Sequence, residues 1–126
     1  MDRYLFSVGD GQDRITDYST ASGEIDHIVF DNTLSANDFW FARNGNDLDI
    51  YTIGADDKVS ITNWYSNGYY QIESIEVGNA VLMNTQVDQL VSAMAAYDSP
   101  QGAGSVVPQA VQDELAPVIA QTWQIK

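Results

Sequence analysis

The chain contains no cysteine, which excludes disulfides, a thiol nucleophile and thiolate-ligated zinc, and suits a protein secreted without oxidative folding machinery. Cations are almost as scarce, with 5 Lys and Arg against 18 Asp and Glu and a formal net charge of -13. Repulsion of that size excludes phosphate backbones and anionic lipid surfaces, so no nucleic-acid partner is expected. No Lys or Arg occurs between Val59 and Ile125, and His27 is the sole histidine. No apolar run approaches the ~20 residues of a membrane-spanning helix, so no membrane insertion is expected. The start, Met1-Asp2-Arg3-Tyr4, lacks the basic and then apolar layout of a secretory leader.

What is present is enough apolar material, 44% of 126 residues, for one packed domain. The first two-thirds reads as short alternating or aromatic-rich runs between Gly, Asn and Asp clusters, the pattern of strands and turns. Strands are predicted at 3–7, 14–18, 25–30, 38–43, 47–53, 57–63 and 69–77, with a short one at 80–82. In 47–53, Leu48 and Ile50 share a face predicted to be buried, while Asp49 and Tyr51 share a wet one. The connections Gly54-Ala55-Asp56-Asp57 and Ser66-Asn67-Gly68 are too short for crossover helices, so antiparallel hairpins are expected there.

After Leu82 the texture changes. Val87, Leu90, Val91 and Met94 recur at helical spacing, with Asn84 or Thr85 as N-cap, predicting a helix that ends near Tyr97. A Pro, Gly and Ser linker over 98–105 should be mobile. Val111, Leu115, Val118 and Ile119 predict a second helix after Pro108, with a kink or restart at Pro117. These readings divide the chain into a β-rich region, 1–83, and a helical tail, 84–126, that is separable from it.

The strongest chemical signal is Gly9-Asp10-Gly11-Gln12-Asp13-Arg14-Ile15, of the form GxGxDxI. Two glycines two apart permit positive φ and expose backbone carbonyls, and Asp13 adds a carboxylate; hard oxygen donors around a tight turn suit Ca2+. The cation takes ~6 to 8 oxygens, more than one turn supplies, so a second turn would have to stack on the first. The same residues also suit a plain hairpin in which Asp caps its own backbone. The candidate ligands are Gly9, Gly11 and Asp13, then Asp10, and last Asn46 and Asp47 in Arg43-Asn44-Gly45-Asn46-Asp47-Leu48, where Asn-Gly is itself a hairpin signal.

The segment YLFSVGDGQDRITDY resembles a final, degenerate copy of the glycine-rich nonapeptide repeats of the RTX (repeats-in-toxin) proteins, with Val8 where the first glycine is expected. The stretch from Phe39 to Met83 is similar to the haemolysin-type calcium-binding-related domain that follows such repeats, through Gly45-Asn46-Asp47-Leu48, Ile61 to Trp64 and Tyr70 to Ile75. The rest resembles the far C-terminal end of these proteins. The resemblance implies a mostly β fold: a β-roll-like start, then antiparallel strands and hairpins, and one or two C-terminal α-helices. It also implies a secreted, extracellular piece of a larger Gram-negative RTX protein, exported by a type I apparatus that reads the C-terminal segment. Its partners would be the upstream repeats and that apparatus, its cofactor Ca2+, and its state monomeric.

Material for an enzyme is poor. No GxSxG elbow, P-loop or HExxH is present. His27 reads as a surface or half-buried neutral imidazole, and carboxylate pairs such as Asp56 with Asp57 or Glu73 with Glu76 read as a solvated acidic face. The runner-up is a carbohydrate- or surface-binding module that stacks sugars on Phe39-Trp40-Phe41 or on Trp64-Tyr65 with Tyr69-Tyr70.

Overall fold

The computed structural model describes residues 3–16, 25–66, 70–97, 99–100 and 104–125. Among the described residues, short β-branched and aromatic runs form nine strands: β1 Arg3–Phe6, β2 Gln12–Ile15, β3 His27–Phe30, β4 Phe39–Asn44, β5 Asp47–Thr52, β6 Lys58–Ile61, β7 Ser74–Val77, β8 Ala80–Met83 and β9 Gln124–Ile125. Two α-helices, α1 Val87–Met94 and α2 Gln109–Thr122, accompany them among the described residues. The strands build one sheet in the order β1-β3-β7-β8-β9 and another in the order β2-β6-β5-β4.

The pairing separates the fold into a wound part and a closing part. β1, β3 and β7 are parallel neighbours in the first sheet, and β2 and β6 are parallel neighbours in the second. Along the chain β1, β2, β3, β6 and β7 therefore alternate between the two sheets, and the fold is mostly β with C-terminal helices, as expected from the sequence. The β4–β5 hairpin, inserted between β3 and β6, extends the second sheet antiparallel. β8 and β9 extend the first sheet antiparallel. Tight turns produce two of the hairpins: Asn44 pairs with Asp47 across Gly45, whose φ is 63°, and Val77 pairs with Ala80 across Gly78, whose φ is 55°.

Inward residues of both sheets and the helices form one core, in which Ile28, Phe41, Leu48, Ile61, Trp64, Ile75 and Leu82 are buried together with Leu90, Met94, Leu115 and Trp123. α1 packs on β4 and on α2. The expected separable tail is thus an integral part of the core, because its apolar face covers aromatic residues that strands alone would leave wet. α2 continues through Pro117 without a restart; the proline removes one amide donor, and Leu115 and Thr122 stay buried on either side of it.

Three further expectations change. Asp49, assigned to a wet face, is buried and accepts a hydrogen bond from Ser60 Oγ at 2.6 Å, so its face of β5 is not solvated. β6 and β7 lie in different sheets, so the segment between them crosses from one sheet to the other and is not a hairpin turn. The predicted strand at 69–77 shortens to Ser74–Val77, because Gln71 makes corner contacts instead, donating to the Trp64 carbonyl at 3.2 Å and accepting from Asn84 Nδ2 at 2.9 Å. Residues 17–18 of the second predicted strand, 67–68 of the second turn, 69 of the strand after it, and 98 and 101–103 of the linker lie outside the described residues.

Candidate functional site

The glycine turn joins β1 to β2 and so carries the chain from one sheet to the other. Gly9 and Gly11 have φ of 94° and 80°, values that L side chains rarely adopt. No atom lies within 4 Å of an added Cβ at either position, so backbone angle and not crowding requires glycine there. The Ser7 amide donates to Asp10 Oδ2 at 2.7 Å, and the Asp10 amide donates to the Ser7 carbonyl at 3.1 Å. Asp10 therefore caps the turn it sits in.

The turn then meets the second sheet. Parallel pairing sets Gln12 beside Lys58, which brings the end of the β5–β6 turn against Gly11. The Gly9 amide donates to Asp57 Oδ2 at 2.9 Å, and the Gly11 amide donates to Asp57 Oδ1 at 2.8 Å. The Gly11 carbonyl accepts from the Lys58 amide at 3.0 Å, as an ordinary parallel ladder bond. Asp10, Asp13 and Asp57 line one small cavity of about 10 Å3 with Phe6, Ser7, Phe30, Leu34 and Thr52. Among the described residues, no group of three or more His, Asp or Glu side chains is placed to hold a metal ion.

Asn46 and Asp47 sit at the opposite end of β2. Arg14 Nη1 lies 2.8 Å from Asp47 Oδ2, and the Asn63 amide donates to Asp47 Oδ1 at 2.9 Å. These two contacts hold the Asp47 carboxyl below the ordinary carboxylate value, the Arg14 hydrogen bond first. The Asn46 carbonyl accepts from the Tyr65 amide at 2.9 Å. The structure thus places the predicted ligands in two groups: Gly9, Asp10, Gly11 and Asp13 around the turn, and Asn46 with Asp47 around Arg14 and Asn63.

Asp57 was read from the sequence only as half of an acidic pair. Its signal lay in the Gly54-Ala55-Asp56-Asp57 turn, but seeing it required knowledge that β6 pairs with β2. His27 is half-buried, with Nδ1 2.5 Å from Glu76 Oε2, and Ser74 Oγ donates to the same oxygen at 3.1 Å. In the parallel register His27 stands opposite Ser74 and Glu76 opposite Val29, so the His27–Glu76 contact runs diagonally from β3 to β7. Of the aromatic residues in the runner-up reading, Phe39, Trp40, Phe41 and Trp64 are each at most 2% exposed, Tyr65 and Tyr70 are half-buried, and Tyr69 lies outside the described residues.

The two ends of the sheets differ. At the β1 and β2 end, each sheet stops at a strand whose outer edge faces no other described strand. The core-facing Tyr4 and Phe6 of β1 are only half-buried, whereas their partners Ile28 and Phe30 are 0% and 5% exposed. Leu5 and Val8, 69% and 52% exposed, lie in β1 and in the turn after it. At the other end, α1 packs on β4 and the first sheet runs out in the two-residue strand β9.

Residues 47–80 match the haemolysin-type calcium binding protein related domain. Over 84 residues, 64% of the chain, the sequence is 31% identical to the iron-regulated protein FrpA of Neisseria meningitidis serogroup C. The chain spans 8% of that protein's length.

Proposed function

We propose, for a chain that carries this calcium-binding-related domain of RTX type, that it is a non-enzymatic cap which terminates a parallel β-roll built by preceding glycine-rich windings of a larger secreted protein. The observation that carries the reading is the asymmetry of the two sheets. Both end on the same side in a parallel strand, β1 and β2, with an unoccupied outer edge among the described residues and a partly open core. Each sheet grows antiparallel at its other end, through β5 and β4 or through β8 and β9. A further winding added ahead of β1 would pair one strand with β1 and one with β2, satisfying edge amides and carbonyls and covering Tyr4, Phe6, Leu5 and Val8.

Ca2+ enters this reading through the preceding windings, whose acidic turns repel one another until the cation neutralises them, so that their folding and metal binding are linked. A preformed last winding lowers the cost of nucleating the next. The segment from Asn84 onward carries the type I export address in this reading, supported by its lack of Lys and Arg up to Ile125. The decisive experiment fuses a tract of consensus nonapeptide windings ahead of this chain and follows folding by circular dichroism during a calcium titration. The tract should fold at lower calcium than when an unrelated folded domain replaces the chain; equal midpoints overturn the capping role.

A further inference from the structure

Asp57 carries an inference that holds whether or not the domain caps a longer roll. The turn from Ser7 to Gly11 presents the Gly9 and Gly11 amides, and the Gly11 carbonyl beside them, to the neighbouring winding. Two glycine N–H groups converge on one carboxylate that lies 46 and 48 residues away in sequence. Successive amides in a turn with positive φ form a concavity that takes an anion, and hydrogen bonds to an ionised acceptor are stronger than neutral ones. The concavity is filled from within the chain: Asp57 follows directly on the β5–β6 turn and precedes Lys58, whose own amide closes the ladder to Gly11 at 3.0 Å. Three hydrogen bonds, donated by the Gly9, Gly11 and Lys58 amides, thus tie the first winding to the next.

We propose that Asp57 is a built-in anion that pins the glycine turn to the β5–β6 turn without a divalent cation, so that β1 and β2 stand preformed in calcium-free solution. The turn keeps the glycine spacing of a cation loop, while a carboxylate of the following winding does the work of holding two windings in register. The geometry makes the glycines necessary for a different reason from carbonyl coordination: only their φ lets both amides face the same carboxylate.

The test is amide hydrogen exchange by NMR on the full chain in EGTA, for the parent, Asp57→Ala and Asp57→Asn. In the parent, Gly9 and Gly11 should be protected without calcium, and added calcium should leave their protection unchanged. Asp57→Ala should lower protection at Gly9, Gly11 and residues 12–15 by at least about tenfold, the loss expected for a charge-assisted pair, while the β4–β5 hairpin keeps its own. Should Asp57→Ala unfold the chain, Asp57→Asn decides: it retains one acceptor oxygen of the same shape and should deprotect one of the two glycines and spare the other. Gly9 and Gly11 amides that exchange freely in EGTA and slow only with calcium overturn the proposal. So do glycines as protected in Asp57→Asn as in the parent.

Discussion

Trp123 stacks on Phe39, with ring centroids 6.3 Å apart and planes 25° from parallel. The contact joins the residue after α2 to the first residue of β4, and Phe41 lies on the same indole at 6.4 Å. The C-terminal segment therefore seals the aromatic edge of the second sheet, and it cannot be removed without opening the core. Truncation to Trp123→Ala should cost about 3 kcal/mol in urea unfolding, the range for deleting a buried large aromatic. Trp123→Phe should cost less, because the indole Nε1 is buried with no hydrogen-bond partner among the described residues. Ending the chain at Met83 should abolish cooperative unfolding, since Val87, Leu90, Met94, Leu115 and Trp123 leave the core together. A sharp urea transition in the truncated chain would show that the β-rich part stands alone.

Arg14 and Asp47 supply an acid-sensitive tie between β2 and the β4–β5 hairpin. The folded pKa of Asp47 is depressed, so its contribution is present above the unfolded carboxylate value of about 3.9 and is lost as pH falls through the folded value. Asp47→Asn should flatten the stability profile below about pH 4 and leave its neutral slope unchanged. The Arg14 side chain is 55% exposed, so a double-mutant cycle with Arg14→Met at neutral pH should return a coupling of only about 0.2–1 kcal/mol. Superimposable acid limbs for parent and Asp47→Asn would remove the pair from the account of acid stability.

These two pairs show what was legible in the sequence and what was not. Alternation in 47–53 and 57–63 located β5 and β6, Asn44-Gly45 marked the hairpin, and helical spacing found α1 within a few residues, because each signal is local. Partners were not legible. β2 pairs with β6 over a separation of 46 residues, and nothing in either strand names the other. Asp57 was therefore invisible as the acceptor for Gly9 and Gly11, although each member of the contact had been noted. Asp49 misled for a related reason: alternation marks two faces of a strand but does not say that both will be covered, and only the Ser60 and Asn44 partners explain its burial. β9, two residues long, carries no periodicity to read.

The open edge yields a prediction that separates stability from docking. Leu5 and Val8 are more than half exposed, so little apolar area is lost when they are changed in the isolated chain. Leu5→Glu combined with Val8→Glu should shift the stability of this chain by no more than about 0.5 kcal/mol. Fused behind glycine-rich windings, the same double variant should behave differently. Strand addition to β1 would place charged side chains beside the incoming winding and leave them partly desolvated, the device by which natural edge strands resist pairing. The calcium midpoint for folding of the fused tract should rise to the value measured with an unrelated domain in place of the cap. A midpoint equal to that of the parent fusion, with unaltered stability of the isolated variant, would mean that preceding windings do not dock on this edge.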